Sequence, residues 1–259
     1  MKETAKKQAV VVPFINHKGG TGKTTTVSNL SSMLAAKGKK VLLIDLDAQA
    51  NLTSYLLGYE FEADNVFNSV SILIGQKGEP TNAKKNLDII PATLDLSVCE
   101  VQLQAKVLRE QILKGALADF SDKYDYILID CPPHLGVMTV NAIVAADYVV
   151  IPTTAEPFAL KGVQSIYDLI NQLKPANNKL NNPFILLTRF GRRQVNKLIA
   201  DAISDGYKAD VFKTIEKETA DILNLQAQNL TVESLPDSNA TKENWTDLTK
   251  EFISKTKKK

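Results

Sequence analysis

Six short apolar runs punctuate the chain, at residues 10–15, 41–45, 87–90, 126–130, 148–151 and 184–188. They are nearly continuous rather than alternating, and several are rich in valine and isoleucine. Strands buried on both faces of a parallel sheet read this way. Helical spacing fills the stretches between them, for example residues 23–37, 103–120, 160–173 and 194–204. Such alternation predicts right-handed crossovers and an α/β fold, a doubly wound, mostly parallel sheet with helices on both faces. Ligands of these sheets sit beyond the carboxyl ends of the strands, so chemistry is expected just after each strand. Neither a linker nor an internal repeat interrupts the pattern. Residues 1–259 therefore read as one domain, with a polar extension at 1–9 and a basic tail at 255–259.

Composition narrows the function classes. Hydrophobic residues make up 44% and charged residues 23%, the balance of an ordinary globular protein. The apolar stretch nearest the start, residues 9–15, contains Pro13 and falls well short of the roughly 18 residues that a spanning helix needs. The basic start (Lys2, Lys6, Lys7) imitates a signal peptide, but the stretch runs straight into Asn16-His17-Lys18-Gly19 with no cleavage site. A cytoplasmic protein is expected. The two cysteines, Cys99 and Cys131, form no CxxC pair and read as small core hydrophobes. With only two histidines, His17 and His134, a histidine-rich metal site is excluded. A net charge of +2 is too small for a globally basic nucleic-acid binder, so any DNA affinity must come from local patches.

The first apolar run leads into Lys18-Gly19-Gly20-Thr21-Gly22-Lys23-Thr24-Thr25 and then into a helical stretch. An ordinary phosphate loop has glycine where this chain has His17; every other element is present, and Lys18 adds a second lysine at the loop's start. Glycines let backbone N–H groups curl around phosphate oxygens, and the helix N-terminus adds a favourable dipole. Lys23 can then reach the β and γ phosphates, and Thr24 can place its hydroxyl on Mg2+. A dinucleotide-binding turn is the weaker rival, because it requires G-x-G-x-x-G and the order here is G-G-x-G-K.

The K-G-G-x-G-K-[ST] form resembles the deviant Walker A motif of the ParA/MinD family of ATPases. That resemblance implies ATP as ligand and an ATP-dependent homodimer with two nucleotides sandwiched at its interface. Lys18 would cross to the ATP of the partner subunit and act there as an arginine finger does. The run Asp45-Leu46-Asp47-Ala48-Gln49-Ala50-Asn51 resembles the family's first switch, D-x-D-P-Q-x-N, with Ala48 in place of proline. By this match Asp45 helps hold the Mg2+ hydration shell and Asp47 orients the attacking water. Asp130-Cys131-Pro132-Pro133-His134-Leu135-Gly136 resembles the Walker B segment and second switch, with His134 where serine is usual, and implies that Asp130 binds Mg2+ through water. The family's adenine-contacting I-P step has Ile215-Glu216 as its counterpart here, which makes these two the expected base contacts.

The family divides by what it acts on. The closing stretch places Trp245, Leu248, Phe252 and Ile253 at helical spacing, with Asp247 and Glu251 among the lysines. That pattern favours core packing over a membrane anchor. The resemblance then implies partition or positioning of a DNA cargo (plasmid, chromosome or mobile element). Nonspecific double-stranded DNA would be held in the ATP state at the nucleoid, and a ParB-like adaptor would stimulate hydrolysis. Two basic sets form the candidate footprint: Arg189, Arg192, Arg193 and Lys197, and Lys242, Lys250 and Lys255. The competing reading is a MinD-like, nucleotide-gated switch on a membrane or protein scaffold, without DNA.

Overall fold

The computed structural model of the protein describes residues 8–191 and 194–257. Among the described residues seven strands form: β1 (Val10–Phe14), β2 (Val41–Asp45), β3 (Thr81–Lys84), β4 (Leu87–Ile90), β5 (Tyr126–Asp130), β6 (Val150–Thr154) and β7 (Phe184–Thr188). They form one sheet in the order β3-β4-β2-β5-β1-β6-β7. All pairings are parallel except β3 with β4. The mostly parallel, doubly wound α/β expectation therefore holds.

Because successive side chains in a strand point to opposite faces, each apolar run supplies two cores. Leu42, Ile44, Ile127 and Ile129 join one cluster, while Val41, Leu43, Tyr126 and Leu128 join the other. The first cluster is covered by α4 (Leu96–Gln104), α6 (Val137–Ala145), α7 (Ala159–Leu173) and α8 (Gln194–Tyr207). The second is covered by α1 (Lys23–Ala36), α9 (Ala220–Ala227) and α10 (Ala240–Lys255). Short helices α2 (Asn51–Leu57), α3 (Ser69–Leu73) and α5 (Ile112–Ala116) complete the set. Trp245, Leu248 and Phe252 of α10 are each about 1% exposed, and Phe252 stacks on Phe14 with ring centroids 6.5 Å apart. Burying side chains of this size stabilises by about 1.5–3 kcal/mol apiece, so the closing stripe is core, as its spacing indicates. Among the described residues no helix is long and apolar enough to cross a membrane.

Two expectations are corrected and one strand is added. The helix expected over 103–120 is broken: α4 ends at Gln104, Leu108 turns left-handed at φ 53°, and α5 starts at Ile112. Buried Asn141 of α6 stabilises the break, donating to the Arg109 carbonyl at 2.7 Å and accepting from the Leu113 amide at 3.0 Å. The run at 148–151 becomes a strand only from Val150, since Asp147 and Tyr148 direct their amides to the Val11 carbonyl ahead of it. Strand β3 has no apolar run behind it. It pairs antiparallel with β4 across a two-residue turn in which Asn86 takes φ 63°.

Candidate active site

Three neighbouring strands bring the chemistry together. Asp45 and Asp130 are register partners at the carboxyl ends of β2 and β5, and Phe14, the last residue of β1, is the partner of Asp130 on the other side. The loop that follows β1 is held from its first residue. Asn16 donates to the Pro152 carbonyl at 2.8 Å and accepts from the Lys18 amide at 3.0 Å. Gly20 and Gly22 take φ of 72° and 82°, a region that L side chains enter only at a cost of about 1–2 kcal/mol. Lys23 is 7% exposed, with its ammonium donating to the Lys18 carbonyl at 3.4 Å. Burial pushes this ammonium below its usual range, against the pull of Asp130 and Asp47.

The Thr24 hydroxyl donates to Asp130 Oδ2 at 2.6 Å, while Asp130 Oδ1 is buried without a partner. Burial, and next the repulsion of Asp45, pushes the Asp130 carboxyl well above the usual carboxylate range. An orphaned carboxylate oxygen beside a helix-start hydroxyl is the donor set that a hydrated divalent cation requires. Among the described residues no group of three acidic, histidine or cysteine side chains could hold a metal alone. Thr24 and Asp130 therefore offer oxygens that fit a bound Mg2+.

Asp45 accepts hydrogen bonds on both carboxylate oxygens. Its Oδ2 accepts from the Thr53 amide at 3.0 Å and the Thr53 hydroxyl at 2.8 Å, and its Oδ1 accepts from the Asp47 amide at 3.1 Å. Burial raises its carboxyl to about 6. With both oxygens engaged, Asp45 ties α2 and the Asp47 turn to the sheet and does not line the cavity. Asp47 does line it, with Oδ1 accepting from the Gln49 amide at 3.0 Å. The cavity has a volume of about 600 Å³ and runs from Gly19 to Leu223 and Gln226 of α9.

Of the two expected base contacts, one faces the cavity and the other does not. Ile215 packs against the core and is not among the cavity-lining residues, because 211–216 runs beside β7 and turns this side chain inward. Glu216 lines the cavity, but its carboxylate accepts from Thr26 at 2.9 Å. Ile222 and Leu223, which carry no motif, supply the apolar wall. Burial raises the Glu216 carboxyl from 4.5 to about 7, against the Thr26 hydrogen bond and the Arg189 charge. The folded state thus binds more protons than the unfolded chain between about pH 4.5 and 7, and stability falls as pH rises through that window. Glu216→Gln is expected to flatten that slope in thermal melts from pH 4.5 to 8 and to raise stability at pH 8 by on the order of 2–3 kcal/mol.

Lys18 does not line the cavity; its half-exposed ammonium pairs with Glu156. Cys99 and Cys131 are buried and free, as expected. His134 is half-exposed, with Nε2 3.6 Å from Glu100. The basic sets do not form one surface of unengaged charges. Arg189 sits against the phosphate loop, donating to the Gly20 carbonyl at 3.0 Å. Lys242 pairs with Asp237 at 2.9 Å and Lys250 with Asp247 at 3.0 Å, in a cleft that also holds Glu233 and Glu243. Lys255 donates to the Ala209 carbonyl at 2.9 Å and lies over the Phe184 ring. Lys197 is on α8, and Arg192 and Arg193 lie outside the described residues.

Residues 9–182 match the family described as AAA domain. The chain is 34% identical over 251 residues to the chromosome-partitioning ATPase Soj of Treponema pallidum, covering 93% of this chain and 96% of that protein. It is 39% identical over 198 residues to an uncharacterized Mycobacterium tuberculosis protein, covering 73% of this chain but spanning 60% of that relative's length. Among solved structures, a Borrelia burgdorferi plasmid partition protein bound to AMPPNP superposes with a TM-score of 0.81 at 28% identity, covering 96% of this chain and 100% of that one. The Mycobacterium smegmatis cobyrinic acid a,c-diamide synthase with bound ATP analog and magnesium gives 0.80 at 27% identity, covering 95% and 94%. Motifs, sheet order and relatives agree: the chain belongs to the AAA domain family, as a P-loop protein of the ParA/MinD type.

Proposed function

We propose that this chain is an Mg2+-dependent ATPase whose ATP-bound homodimer holds duplex DNA without sequence preference and so partitions or positions a DNA cargo. A ParB-like adaptor stimulates hydrolysis and release. The observation that carries the reading is the placement of Lys18. The adjacent Gly19 lines the cavity, whereas Lys18 does not and pairs instead with Glu156 at the exposed surface beside it, where a second copy could take over its charge. A second copy facing the first would bring Lys18 to the opposite nucleotide. The partition roles named for the Soj and Borrelia relatives support the DNA cargo.

Each residue has a task in this account. Loop amides and Lys23 would hold the triphosphate, and Thr24 and Asp130 would hold the cation. Asp47 offers a cavity-facing carboxylate to the attacking water, and Asp45 fixes the turn that carries it. When bound, Mg2+ neutralises charge on the transferring phosphoryl group. DNA contact is assigned first to Arg192, Arg193 and Lys197, doubled by the dimer, and only second to Lys242, Lys250 and Lys255, of which the first two pair with acids.

Light scattering tests the assembly step. The ATP-bound protein is expected at twice 28.4 kDa, and the ADP-bound protein at 28.4 kDa. Lys18→Ala should lower the hydrolysis rate about 10³-fold or more, the range of a transferred arginine finger. A chain that stays single with ATP, or a Lys18→Ala variant with normal turnover, contradicts the reading. The triple variant Arg192→Ala, Arg193→Ala, Lys197→Ala should dimerise normally and lose DNA.

A further inference from the structure

We propose that Thr188 and Arg189, at the carboxyl end of β7, are positioning residues that brace the phosphate loop in its binding shape. The inference rests on the nucleotide site and not on the DNA reading.

Peptide geometry fixes where the loop amides point. In a trans peptide the C=O and the following N–H point in opposite directions. The Thr188 hydroxyl, fully buried, donates to the Thr21 carbonyl at 2.7 Å, and Arg189 Nη1 donates to the Gly20 carbonyl at 3.0 Å. Two consecutive loop carbonyls are thereby drawn toward β7. The amides that follow them, of Thr21 and Gly22, are turned the opposite way, and both residues line the cavity. Amides fixed before a ligand arrives need no reorientation when phosphate binds.

Close packing supports the same assignment. A Cβ on Gly22 would lie 3.4 Å from Thr188 Cβ, so strand end and loop are in contact there. Arg189 adopts φ 48°, a backbone conformation uncommon for a side chain of its size. Its other terminal nitrogen, Nη2, lies 3.4 Å from Glu218 Oε1. Glu218 lines the cavity beyond the loop, and the neighbouring Phe190 amide donates to the Glu216 carbonyl at 3.0 Å. The brace thus joins the phosphate wall to the 216–218 wall. Arg189, one of the basic residues read as a DNA contact, is employed in the nucleotide site.

The test is competition binding of Mg2+-ADP and of adenosine to wild type, Arg189→Ala, Arg189→Lys, Thr188→Val and Thr188→Ser. Arg189→Ala and Thr188→Val are expected to weaken ADP by about tenfold each, the range for a lost hydrogen bond that involves a charge or a buried carbonyl. Adenosine affinity should stay unchanged, and Arg189→Lys and Thr188→Ser should recover part of the loss. Unchanged ADP affinity in both Arg189→Ala and Thr188→Val overturns the brace, and so does an equal loss for ADP and adenosine. A parallel DNA measurement at saturating ATP separates the two accounts. If Arg189→Ala loses DNA while binding ADP normally, Arg189 is a DNA contact. If wild type binds no DNA, the ADP result still decides the brace.

Discussion

Lys23→Ala will lose measurable binding of ATP and ADP, with affinity falling by about 100-fold or more. The side chain is buried at the loop, and its ammonium donates to the Lys18 carbonyl at a long 3.4 Å, which leaves donors for phosphate. Hydrogen bonds to charged groups contribute about 1.5–3 kcal/mol each, and losing two of them accounts for that drop. Melting temperature gives a direct readout. At a nucleotide concentration of 100 times the dissociation constant, wild type gains about 2.7 kcal/mol of stability. Lys23→Ala should gain none, and a full nucleotide-dependent shift in this variant would remove Lys23 from the site.

Asp47→Ala is expected to keep ATP and lose turnover, by about 10²–10⁴-fold, the usual contribution of a positioned proton acceptor. Asp47 lines the cavity, and its Oδ1 accepts from the Gln49 amide. Its removal leaves Lys23, Thr24 and Asp130 in place, so binding changes little and the ATP-bound state accumulates. Asp45→Ala should behave differently. The Thr53 amide and hydroxyl and the Asp47 amide would lose their acceptor, and the fold around α2 would weaken along with turnover. Normal hydrolysis by Asp47→Ala would exclude its role at the attacking water.

The parts of this site legible in the sequence are those set by local spacing. The loop from Lys18 to Thr25 and the acids at the ends of β2 and β5 lie where continuous buried runs stop, and the parallel register brings Asp45 and Asp130 side by side. The employment of Asp45 was not legible, because it depends on Thr53, eight positions on and without a motif. Nor was the third wall. Thr188 and Arg189 reach Thr21 and Gly20 across 167 and 169 positions of chain, and read locally Arg189 belongs with neighbouring basic residues. In the fold, the missed strand β3 is the polar segment Thr81–Lys84, created by a turn and an edge pairing rather than by burial. The overlong helix at 103–120 shows the reverse. Apolar periodicity continues through Leu108, but its left-handed backbone and the grip of Asn141 end the helix.

Binding to random-sequence duplex DNA with ATP, with ADP and without nucleotide, at 50 and 200 mM salt, decides between the two readings. Binding is predicted only with ATP, about 10³-fold weaker at the higher salt if roughly six phosphates are contacted, and absent in Lys23→Ala. No binding in any nucleotide state, from a protein that dimerises with ATP, would contradict the account and leave a nucleotide-gated switch on a membrane or protein scaffold in its place.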